Sequence, residues 1–168
     1  TRLDWWDRNA PLPHSSENLI KWSDAKDIIL DSFSSFHPEI SNLAELFFKN
    51  NWIDASLRKG KASGAFAHPS VPSLHPYILI NYQGKIRDVM TLAHELGHGV
   101  HQILAGKNGL LMAETPLTLA ETASVFGEML VFRKLLDESS ITQKKQLLSG
   151  KIEDMLNTVA RQIGFHQF

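Results

Sequence analysis

The chain has 168 residues, with 17 Lys and Arg against 18 Asp and Glu, and apolar types make up 43% of it. That composition excludes a disordered tail and argues against a nucleic-acid partner, which would need a Lys/Arg excess. No run of about 18 apolar residues exists, so no membrane span is expected. There are no Cys, so a transition-metal site has only His, Asp and Glu to draw on. The lack of Cys and of signal-peptide order in the Trp-rich opening TRLDWWDRNAPLP favours a cytoplasmic protein. The opening Thr1 and the apolar ending IGFHQF read as cuts in a larger polypeptide.

In chain order, Pro11 and Pro13 block helix formation in residues 1–14. The spacing of Leu19, Ile20, Ile28, Ile29, Phe33 and Phe36 predicts a helix over 16–36, with Ser23 and Asp24 as a cap near its start or at a break. Pro38 restarts the chain into a second helix over 39–51, ended by Asn50 and Asn51. Gly and Pro interrupt the pattern from Gly60 onward. A strand is predicted over 64–67 and a better one over 77–82, which is rich in β-branched and aromatic residues. Helical periodicity then returns over 88–105, stopped by Gly106; over 117–137; and over 141–163, stopped by Gly164. The expectation is a mainly α fold with a small β element. It forms one domain: a helical lead-in over 1–59, a small β region over 60–86 and metal-binding helices over 87–168.

The helix over 88–105 carries His94-Glu95-Leu96-Gly97-His98. Two His at i and i+4 lie about 40° apart around a helix, so both imidazoles reach one point, which suits a Zn²⁺ ion. Glu95 sits beside them, placed to take a proton from water rather than to bind metal. The apolar residues Val89, Leu92, Ala93, Leu96, Val100, Ile103 and Leu104 form a core stripe, and His94, His98 and His101 lie on the opposite side.

Catalytic zinc takes three protein ligands. The candidates downstream are His101, Glu114, Glu121 and Glu128. The helix over 117–137 is apolar around most of its circumference and therefore reads as buried, yet Glu121 and Glu128 lie seven apart on one face of it. Glu121 is the third ligand on this reading. Glu128 is an acceptor orienting a ligand His, His101 a polar-face or supporting residue, and Glu114 a solvated loop residue.

With these residues in view, the sequence resembles oligoendopeptidase F and its relatives, the thimet-oligopeptidase-like zinc metallopeptidases. The resemblance rests on NNWIDA at 50–55, GKASGAF at 60–66, HPYILINYQG at 75–84, TLAHELGHGVH at 91–101 and LAETASVFGE at 119–128, in family order and spacing. It implies a zincin-like catalytic core, a piece of a larger helical enzyme. His94, His98 and Glu121 would hold one zinc, Glu95 would be the general base, and short peptides would be the substrates. It also implies that Gly64, Ala65, Phe66 and Ala67 lie beside the active-site channel, where an extended peptide can pair with them. Gly64 would permit close backbone approach. Family members carry Tyr and His residues C-terminal to the zinc helices that stabilise the tetrahedral intermediate. This chain ends at Phe168, before that segment, and its two Tyr, Tyr77 and Tyr82, lie upstream. The alternative expectation is therefore a catalytically incompetent zinc- or peptide-binding core.

Overall fold

The structure, a computed structural model, describes Asp4 and residues 19–168. The lead-in over 1–14 and the start of the predicted first helix thus lie largely outside the described residues. The chain divides into two compact units, one within Asn18–Lys134 and one that includes Leu135–Phe168.

In the first unit, α1 (Trp22–Phe36) and α2 (Pro38–Lys49) form a helical hairpin. His37 turns the chain between them: its Nδ1 accepts from the Glu39 N–H at 3.2 Å, and Pro38 takes the first helical position, where no N–H is needed. Ser23 and Asp24 do not cap α1. Lys21 occupies the N-cap, and the Ser23 hydroxyl donates to its neighbour Asp24 inside the first turn.

A three-stranded sheet follows, in the order β1-β3-β2, where β1 is Ile53–Asp54, β2 Phe66–His68 and β3 Tyr77–Leu79. β1 runs parallel to β3 and β2 antiparallel to it. The predicted strands were each longer or shifted, and β1 was unpredicted. Two residues give no period to read, and β1 exists because β3 supplies partners: the Ile78 and Ile80 N–H groups donate to the Trp52 and Asp54 carbonyls.

Side chains tie down the loops around the sheet. The Lys61 ammonium, on a side chain only 2% exposed, donates to the carbonyls of Asp54, Ser56 and Ile80 and to Asp54 Oδ1. The Asn81 amide donates to the carbonyls of Ala62 and Gly64. Together they fix the path of 55–64 that delivers β2.

α3 (Ile86–Gly106) starts where Asp88 Oδ2 accepts from the N–H groups of Gln83 and Lys85. Its buried Val89, Leu92, Ala93, Leu96 and Val100 form the expected stripe and meet a core that includes Ile29, Phe33, Phe47, Ile78 and Ile80. A short α4 (Leu110–Ala113) leads to α5 (Leu117–Glu138). α5 is not buried all round. Ser124, Gly127, Val131 and Phe132 are covered, but Leu119, Val125 and Phe126 are exposed. Apolar sequence marks what a helix is able to bury; burial needs an element on that side, and the described elements cover one face.

In the second unit, α6 (Ile141–Gln167) begins with a reciprocal Ser140–Gln143 capping box. Gly164 does not end it: the helix continues to Gln167 with Gly164 adopting no left-handed conformation.

Candidate metal centre

α3 and α5 carry the site. Their backbones come unusually close because Gly97 of α3 lies against α5. A Cβ at Gly97 would sit 2.8 Å from the Ala123 carbonyl oxygen and from Ser124 Cα, while one at Gly127 of α5 would sit 3.1 Å from the Ala93 carbonyl oxygen. At that separation a glutamate on α5 reaches across to α3. Glu121 Oε2 lies 3.3 Å from His94 Nε2, and Glu121 Oε1 lies 3.6 Å from His98 Nε2. One ligand atom from each of His94, His98 and Glu121 falls within 4.8 Å of the others, the only such His/Cys/Asp/Glu group among the described residues.

Both imidazoles are oriented from behind. Glu128 Oε2 lies 3.2 Å from His94 Nδ1, and the Ala120 carbonyl accepts from the His98 ring. In the neutral form, with the His94 proton assigned to Nδ1 toward Glu128, both rings present Nε2 to Glu121. Two nitrogen lone pairs and a carboxylate then face one another across a small gap. That arrangement is repulsive when empty and suits a divalent cation, so the donor set fits a metal.

The electrostatics follow from burial and from this crowding of charge. For His94, burial opposes protonation, but the Glu128 hydrogen bond and the charges of Glu95, Glu121 and Glu128 outweigh it and raise its pKa. For His98, burial and the neighbouring His94 dominate and lower it, with a smaller push from His101. Glu95 is pushed up to about 7, first by burial and then by the Glu121 charge, against the pull of His94 and of a backbone hydrogen bond from Ala67. Its Oε2 is buried with no hydrogen-bond partner, an acceptor without a donor.

Glu121 differs from the buried carboxylate expected, with its side chain 46% exposed, so the site opens on that side. His101 stands outside the ligand group. Glu114 lies at the end of α4, away from the group. Ala67 belongs to β2, and both of its backbone groups meet α3: the Gln102 amide donates to its carbonyl at 3.3 Å, and its N–H engages Glu95. Ala65 leads into this edge strand and Phe66 begins it. Gly64 has φ +85° and open space where a Cβ would stand, so backbone conformation rather than crowding within the chain calls for glycine there. Sequence reasoning missed Gln102, Ser124 and the Gly97–Gly127 contact. Gly97 lay in view inside the motif, and Ser124 as a polar residue amid apolar ones, but their roles depend on the α3–α5 distance.

Fold and site together present a paired-His helix faced by a glutamate from a second helix, a donor set that fits a metal. The chain belongs to peptidase family M3, whose sequence pattern it matches over residues 22–168. It is 36% identical to an oligoendopeptidase F homolog of Borreliella burgdorferi over 88% of the chain and 25% of that protein. It is 28% identical to oligopeptidase PepF of Bacillus subtilis over 97% of the chain and 24% of that protein. Among solved structures, a Chlamydophila abortus protein described as a peptidase superposes with a TM-score of 0.80 at 32% identity, over 90% of this chain and 26% of that one. The chain thus spans about a quarter of the length of these relatives. Among the described residues no helix is long and apolar enough to cross a membrane.

Proposed function

We propose that this chain carries the zinc centre of an oligopeptidase that hydrolyses internal bonds of short peptides. The observation that carries the reading is the convergence of His94, His98 and Glu121 within 4.8 Å, with the Oε2 of Glu95, the residue after His94, buried and unpartnered. Zinc held by these three side chains would supply Lewis acidity, which acidifies water and polarises a carbonyl. Glu95, kept out of the ligand set, takes a proton from the attacking water on its free oxygen. As the C–N bond breaks, Glu95 returns that proton to the leaving amine. Glu128 holds the His94 ring, and the Ala120 carbonyl the His98 ring, in the orientation the ligands need.

The peptide lies along Gly64–Ala67, pairing with the backbone of this edge segment. At Ala67 it competes with Gln102 and Glu95 for the backbone groups, so pairing concentrates on the exposed side of 64–66. A second reading, a zinc-binding core without turnover of its own, draws on the tyrosines. Tyr82 donates to the Ile20 carbonyl at 2.8 Å, and Tyr77 packs beside His75. Neither is placed in the ligand group as an oxyanion donor.

Glu95→Gln separates metal binding from chemistry. The variant should bind one zinc per chain and cleave internally quenched peptides at least about 10²-fold more slowly than the parent. Cleavage at the parental rate refutes the assigned base. A parent that binds zinc but cleaves nothing favours the second reading.

A further inference from the structure

We propose that Ser124 is a positioning residue for the Glu121 carboxylate and so tunes the affinity of the metal site, an inference that rests on the metal reading above. Glu121 has three rotatable side-chain bonds and a half-exposed carboxylate, so its own side-chain torsions do not keep it turned toward α3. The Ser124 hydroxyl, fully buried, lies 3.1 Å from Glu121 Oε2 and 3.0 Å from the Glu121 carbonyl oxygen.

This geometry departs from that of several other hydroxyls in the structure. Ser32, Thr91, Thr122 and Ser139 each donate to the carbonyl four residues back and to no side chain. Ser124 reaches back three residues, where the carbonyl and the carboxylate of one residue are both within range. With one proton and two acceptors, its hydroxyl can anchor the carboxylate while the other lone pairs of Glu121 stay available to a metal.

The anchor is itself fixed. Ser124 Cα stands 2.8 Å from the place a Gly97 Cβ would take, so the residue that orients Glu121 is wedged against the turn joining His94 to His98. Backbone contact thereby sets the position of the hydroxyl, the hydroxyl sets the carboxylate, and the carboxylate meets both imidazoles.

The test is a double-mutant cycle on Zn²⁺ affinity, read by competition with a chromophoric chelator, with thermal unfolding of the metal-free chains as a fold control. Ser124→Ala should weaken Zn²⁺ binding about tenfold or more without lowering the metal-free unfolding midpoint by more than a few degrees. In a Glu121→Ala background the same change should cost less than about twofold, because the carboxylate it orients is gone. Thr122→Ala, which removes a hydroxyl bonded only to backbone, should leave affinity unchanged.

Equal losses in both backgrounds, or a Ser124→Ala chain that binds Zn²⁺ within about twofold of the parent, would overturn the assignment while leaving the metal reading intact. A parent that binds no Zn²⁺ overturns both. Should Ser124→Ala fail to fold, the parent still answers. The Ser124 hydroxyl proton should be protected from solvent exchange and shift in the NMR spectrum on adding Zn²⁺, and rapid exchange would refute the bond.

Discussion

Replacing Gly97 by alanine is a perturbation whose sign runs against simple helix physics. Alanine in a helix interior is favoured over glycine by about 1 kcal/mol, so on propensity alone the variant is stabilised. The structure predicts the reverse. The new Cβ would meet the Ala123 oxygen and Ser124 Cα at 2.8 Å, where ordinary contact begins at 3.4 Å, and both are backbone atoms that no rotamer change can move aside. α5 must retreat by about 0.6 Å or more, an overpacking cost of about 1–3 kcal/mol. After the propensity gain is subtracted, the net loss is up to about 2 kcal/mol. The same retreat carries Glu121 away from His94 and His98, so Zn²⁺ affinity falls by about tenfold or more. Gly106→Ala is the matched control: its Cβ would meet Pro72 at 3.7 Å, an ordinary contact, and stability should hold or rise. Urea unfolding and chelator competition on the three chains measure both quantities. A Gly97→Ala chain stabilised by about 1 kcal/mol with parental Zn²⁺ affinity would refute the close-packing argument.

Other outcomes follow from single contacts. Glu128→Gln keeps the shape but removes the charge 3.2 Å from His94 Nδ1, and chelator competition should show Zn²⁺ affinity about tenfold lower; an unchanged value would mean Glu128 does not support the ligand. Asp54 is held down to about 2 from 3.8, chiefly by its Arg58 hydrogen bonds and then by Lys61. A depressed folded pKa gives stability that is present above about pH 4 and lost as pH falls toward 2. With the side chain about a third exposed, solvent screening limits the effect to about 1 kcal/mol. Asp54→Asn should flatten the acid limb of the stability profile between pH 4 and 2, and an unaltered limb would contradict the assignment. Lys61→Met leaves the carbonyls of Asp54, Ser56 and Ile80 without their shared donor, so stability measured in urea should fall by about 2–3 kcal/mol; a loss under 0.5 would show water taking its place.

The helices and the His94–His98 pairing were readable because they rest on short-range pattern. His94 and His98 need only one turn of helix to meet, and the core stripe from Val89 to Val100 has the period that burial imposes. What was hidden depends on distance between elements. β1 is two residues paired with residues 25 positions later, and Lys61 looks like one more surface lysine until three carbonyls surround it. Glu121 could be picked as a ligand from its helix and spacing, but its exposure, and Ser124 behind it, follow from how near Gly97 lets α5 come. Gly164 shows the opposite failure: a residue that often ends helices lies within one here.

The most direct test is zinc stoichiometry with X-ray absorption on the chain saturated with Zn²⁺ and freed of excess. One zinc per chain, with nitrogen and oxygen neighbours at about 2.0–2.2 Å, lost when His94, His98 and Glu121 are all replaced by alanine, is the predicted result. Zinc retained by the triple variant, or well under one equivalent on the saturated parent, would contradict the claim that these three side chains form a metal site.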